Sequence, residues 1–210
     1  MPAPTTPAQP NHGQKSAALS QEHTTKTAKG RKVAILAADG VDGAQIAILE
    51  GALSAAHVSA EIVSKFGGMI KSVDGGEIEV DQTFLTAASV VYDAVYVPGG
   101  AQSITALKAH GEAMNFLQEA FKHFKPISAS GEGVDLLIQS DLTGIDLSQT
   151  NGKIADQFGV VTLRDPLKMV AFAQSFLDAI KEHRFWKRPV PGTASFEVAA
   201  VAKQASEVSA

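Results

Sequence analysis

Three short segments hold the residues whose types and spacing could do chemistry. They are Ala38-Asp39-Gly40-Val41-Asp42-Gly43, Pro98-Gly99-Gly100-Ala101-Gln102-Ser103 and Ser128-Ala129-Ser130-Gly131-Glu132-Gly133. The third has the spacing of a nucleophile elbow, a strand, tight turn and helix that aim one reactive side chain outward. Its flanks, Ala129 and Gly133, are small, as the close backbone approach demands. Its apex is Gly131, where acyl-transfer chemistry needs Ser, Cys or Thr. Moving the apex to Ser130 would make Glu132 a flank, which is too large, so Ser130 reads as a strand-end or capping serine. Gly99 and Gly100 could offer oxyanion N–H donors. Their plainer reading is a strand-to-helix turn that needs glycine dihedrals. Glu132 is a general acid/base only if burial or a second carboxylate raises its pKa. Otherwise it is a first-turn acid that complements the helix dipole. Asp39 and Asp42 read as turn formers, and no metal-spacing motif joins them to Glu132.

Composition closes off other chemistries. The chain has no cysteine, which excludes disulfides, thiolate metal sites and a thiol nucleophile. Its six histidines form no His-Glu-x-x-His motif or i,i+4 pair, so no zinc site is expected. Gly131-Glu132-Gly133 lacks the third glycine of a dinucleotide turn, and there is no P-loop. Eighteen basic against 22 acidic residues give a charge of −4 without a basic block, so no nucleic-acid partner is expected. No apolar run of roughly 18 residues exists, so no membrane-spanning helix is expected either.

The elements that must position these loops follow from hydrophobic periodicity. Residues 1–29 hold all but five of the nine prolines and no Val, Ile or aromatic residue, and read as a disordered leader or linker. Order is expected over 30–190, with a weakly patterned tail over 191–210. Lys32–Ala38, Ala60–Ser64, Asp93–Val97, Pro126–Ser130 and Val160–Leu163 are short, largely apolar runs, as expected for strands covered on both faces. Between them lie helix patterns. Ile46, Leu49, Leu53 and Ala56 mark a helix near 43–56. Phe116, Leu117, Ala120, Phe121 and Phe124 mark a second, and Gly131–Ile138 a third. Val170, Ala173, Phe176, Leu177 and Ile180 mark a last one behind Asp165-Pro166, an N-cap followed by proline. Turn residues at 74–76 suggest a hairpin excursion near 68–82. Alternating β and α predicts a three-layer flavodoxin-like α/β sandwich with a mainly parallel sheet of order 2-1-3-4-5.

Several stretches resemble known proteins. Lys32-Val33-Ala34-Ile35-Leu36, Val97-Pro98-Gly99-Gly100 and Lys125-Pro126-Ile127 resemble the ThiJ/PfpI superfamily, of class I glutamine amidotransferase-like fold. More narrowly, Gly30 to Asp42, Glu119 to Ile127, Gly131-Glu132-Gly133 and His183-Arg184-Phe185-Trp186-Lys187-Arg188 resemble the C-terminal domain of large-subunit monofunctional haem catalases. The resemblance places the superfamily's nucleophilic cysteine on Gly131, its following His on Glu132 and its first-loop acid on Gln45 or nearby. All three are replaced here. The former oxyanion loop falls on Gly99 and Gly100.

The resemblance implies a catalytically silent domain with a stabilising, assembling or chaperone-like role in hydrogen peroxide detoxification in the cytoplasm. Haem would belong to an N-terminal catalase core, absent from this sequence. The only tyrosines, Tyr92 and Tyr96, fall in the third-strand region, so no proximal ligand is expected. The expected partner is protein, either a catalase core or a second copy, with no cofactor and no metal. The competing reading is an active hydrolase or deglycase of the superfamily, with a relocated site using Ser130 or Glu132. A third, a holdase chaperone, requires an exposed apolar patch.

Overall fold

The computed structural model describes residues 25–142, 144–148 and 152–189. Residues 1–24 of the leader expected over 1–29, and the whole tail expected over 191–210, lie outside them. Strand β1 (Lys32–Leu36), helix α1 (Gly43–Ala55) and strand β2 (Ser59–Ser64) form the first βαβ unit, with β1 and β2 parallel. Asp42 caps α1 by accepting from the Gln45 backbone N–H at 3.1 Å. Strands β3 (Gly68–Lys71) and β4 (Glu77–Val80) pair antiparallel with Ile70 opposite Ile78, forming the expected hairpin as a separate small sheet.

The chain then returns through β5 (Gln82–Thr83) and β6 (Ala94–Val97). Helices α2 (Ala101–Lys108) and α3 (Gly111–Lys122) lead to β7 (Ile127–Ser130) and α4 (Gly133–Gln139). Strands β8 (Ala155–Gln157) and β9 (Val160–Leu163) precede α5 (Met169–Glu182). The large sheet runs β5-β2-β1-β6-β7-β9-β8, parallel except for β8 against β9. The five apolar strands read from sequence are its centre, in the order expected.

Alternate residues of each strand feed two cores. Val33, Ile35, Tyr96 and Val161 pack under α1 and α5. Ala34, Leu36, Val95 and Ile127 pack under α2, α3 and α4. Burial on both faces explains why these strands read as continuous apolar runs rather than as alternation.

Three expectations need correction. Val170 is 78% exposed; Met169, one residue earlier, takes the buried position, because a helix turns about 100° per residue. Phe124 lies beyond the end of α3, in a left-handed turn (φ +58°) that leads toward β7, and is only half-buried. Asp165 and Pro166 open a single 3-10 turn, Pro166–Lys168, ahead of α5 rather than α5 itself. Helix α2 had no separate signature. At the start of the described chain, Ala28 is buried in the core under α1 and α5.

Candidate functional site

The three loops read as chemical candidates meet at the carboxyl ends of β1, β6 and β7, where open α/β sheets mount ligands. The sharp bend falls on Gly131, whose φ is +55°. Its N–H donates to the Leu163 carbonyl at 2.8 Å and closes the turn. Gly133 opens α4 hard against β6: a Cβ there would lie 2.3 Å from the Val97 carbonyl oxygen. The elbow geometry is therefore complete, with a hydrogen at its apex.

The space above that apex is filled. A Cβ on Gly131 would sit 3.2 Å from Gln45 Nε2 and 3.4 Å from the Gly99 Cα. Gln45 projects from the first turn of α1 and is buried. Its Nε2 donates to Asp42 Oδ2 at 2.7 Å, which fixes the amide orientation. Its Oε1 then accepts two bonds, from the Gly99 N–H at 2.9 Å and from Ser130 Oγ at 2.5 Å. With its proton committed to Gln45, Ser130 accepts from the Tyr96 hydroxyl at 2.6 Å. Burial pushes the Tyr96 phenol far above its ordinary range, so it stays a neutral donor.

Both glycine donors of the second loop are thus engaged within the chain. Gly99 bonds Gln45, and the Gly100 N–H donates to Glu132 Oε2 at 2.9 Å. An oxyanion would have to displace both side-chain oxygens. Ser130 is fully buried, and neither Gln45 nor Tyr96 can act as its base. Glu132 is exposed and spends one oxygen on a backbone donor. The Ser130 and Glu132 roles of the relocated-site reading therefore find no nucleophile–base pair in this geometry.

Asp39 accepts from the Lys71 N–H at 2.9 Å, on the far side of its loop. Asp39, Asp42 and Glu132 each turn to a different partner. Among the described residues no cluster of three His, Asp or Glu side chains could hold a metal ion. A cavity of about 350 Å3 does open at this end of the sheet. It is lined by Ala38, Ser64, Phe66, Gln102 and His110 among others, over the ends of β1 and β2, with β6 between β1 and the elbow strand β7.

Sequence reasoning missed Tyr96 as a site residue. The signal was present: a hydroxyl in a strand covered on both faces must find a partner. Both tyrosine hydroxyls are engaged within the chain. Tyr96 is buried on Ser130, and Tyr92 is buried with its hydroxyl donating to Glu61 at 2.8 Å.

This fold is that of the DJ-1/ThiJ/PfpI proteins. A two-domain protein from Anabaena variabilis with DJ-1/ThiJ/PfpI-like and ferritin-like domains superposes with a TM-score of 0.67 at 21% identity, covering 80% of this chain and 52% of that one. Toxoplasma gondii DJ-1 in its oxidized form gives 0.64 at 15% identity, covering 73% and 95%. At such identities the likeness speaks for the fold alone.

Sequence relatives are narrower. The profile of the C-terminal domain found in long catalases matches residues 29–190, and the chain belongs to that family. Catalase-2 of Bacillus subtilis is 39% identical over 175 residues, which cover 83% of this chain and 23% of that protein. Catalase-1 of Neurospora crassa is 32% identical over 205 residues, covering 90% and 28%. The chain thus spans about a quarter of the length of these relatives.

Proposed function

We propose that this domain is catalytically silent and serves to stabilise and assemble a large catalase, so that its link to peroxide removal is indirect. One observation carries the reading. The apex of the elbow bears no side chain, and the Gln45 amide occupies the volume above it while the Gly99 and Gly100 donors are bonded internally. The partner in this reading is protein, a cytoplasmic catalase core, which would supply the haem. The relatives' names support the setting.

The chaperone-like form of the role draws on a second observation. Phe66, Met69 and Val73, on and beside the hairpin, are all largely exposed. An apolar surface of that kind holds unfolded clients or partners.

The test is an assay of the purified chain for peroxide consumption, ester and peptide hydrolysis and deglycation, with a parallel measurement of the heat-inactivation half-life of a catalase core. No turnover and a lengthened half-life are expected. Turnover abolished by Ser130→Ala or Glu132→Gln would establish the relocated-site enzyme instead. An unchanged half-life at saturating chain would remove the stabilising role.

A further inference from the structure

The amino ends of the parallel strands carry a face that the elbow does not use. Segments 25–31 and 183–189 meet there. Lys26 reaches Glu182 at the end of α5 (2.5 Å), and Arg31 and His183 both turn to Asp93 at 3.2 Å. That one carboxylate faces Arg31, His183 and Arg184. Burial holds the Arg184 guanidinium below its usual range, with Arg31 opposing the pull of Asp93. The cluster has more cation than its carboxylate neutralises, in a chain whose net charge is −4.

Two residues further on stands Trp186, the chain's single tryptophan, 73% exposed. Its ring lies 5.3 Å from that of Phe124. Phe124 and His183 both take positive φ (+58° and +64°) just past helix ends, a backbone that bulky side chains rarely adopt. The strap that bears Trp186 is pinned from below. The Arg188 guanidinium is buried and donates to the carbonyls of Phe121, Lys125 and Phe158. A rigid, exposed indole with a cationic rim is the make-up of an interface anchor for an acidic surface.

The path of the chain says which surface. Residue 25 emerges on this same face, and in the relatives the matched part is C-terminal, with about three quarters of the protein outside it. Whatever precedes the domain is therefore joined to it at this end. We propose that the face centred on Trp186, with Arg184 and Lys187 on its rim, is the docking surface for an acidic patch on the catalase core. This rests on the assignment of a catalase core as partner under Proposed function.

The full chain labelled with 5-fluorotryptophan gives a single 19F resonance, from Trp186. It is titrated with a haem catalase that naturally lacks this domain, while light scattering reports complex formation. The resonance is expected to shift, and added salt to weaken the complex. Trp186→Ala and the pair Arg184→Glu with Lys187→Glu should each weaken it about tenfold by light scattering. A complex that leaves the resonance unmoved places docking on another face and overturns this inference, while the partner assignment stands. No complex at all overturns both. A resonance that moves with the chain's own concentration assigns the face to a second copy and overturns the occupant named here.

Discussion

Gln45 Nε2 stands 3.2 Å from where the first side-chain atom of residue 131 would begin, so the amide of one residue occupies the approach to a nucleophile the other does not carry. With glycine at the apex, an amide at 45 can donate to Asp42 and accept from Gly99 and Ser130, so that its nitrogen and its oxygen are both used.

Restoring a thiol alone should therefore restore nothing. Gly131→Cys places a Cβ at a φ of +55° and against the Gln45 amide. The left-handed backbone costs about 1–2 kcal/mol. A thermal melt should show the loss, and ester hydrolysis should stay at background, because no base or free oxyanion donor adjoins residue 131. Turnover above background in this single variant would falsify the account of a closed site.

Gln45→Glu should make stability depend on pH. The new carboxyl would be buried and would meet the Asp42 oxygen that now accepts from Nε2, 2.7 Å away. Burial and the like charge raise its folded pKa above the unfolded value. The folded variant then binds more protons than the unfolded chain between those values, so its stability falls as pH rises through that window. Near neutral pH the loss should be about 1–3 kcal/mol, the cost of an unmade buried hydrogen bond. Below the unfolded carboxyl range most of it should vanish. Urea melts of variant and parent at acid and neutral pH decide it; a gap of constant size would count against the Asp42 contact.

Lys125 predicts the opposite slope. It is buried, and its ammonium donates to the carbonyls of Ser89 (2.5 Å) and Tyr92 (2.7 Å). Burial pushes its pKa down to about 8. An unfolded lysine titrates at about 10.4, so between these values the unfolded chain binds the extra proton and stability rises with pH. Lys125→Met should remove that rise and cost about 1–3 kcal/mol by leaving two carbonyls without a donor. Parallel pH profiles for the two proteins across this window would rule the effect out.

Much of the fold was legible because both faces of the sheet are covered. That burial turns β1, β6, β7 and β9 into short apolar runs that periodicity finds. The misplaced residues sit where an element begins or ends. Val170 lies one residue past the buried Met169, and Phe124 follows the last turn of α3. Helix α2 escaped notice as a short segment of eight residues. At the elbow, the spacing of Ala129, Gly131 and Gly133 was readable, and so was the missing side chain.

The order of residues by itself determined which chemistry is excluded at the apex, since a glycine has no atom to offer, and it determined the succession of strands and helices. Only the tertiary structure decided what stands in that place. Gln45 and Ser130 are separated by 85 positions, and no local pattern records that α1 delivers an amide to the end of β7. The reason is physical: hydrophobic periodicity reports how each segment faces the core, whereas a hydrogen bond between distant side chains exists only once packing has fixed the helices against the sheet.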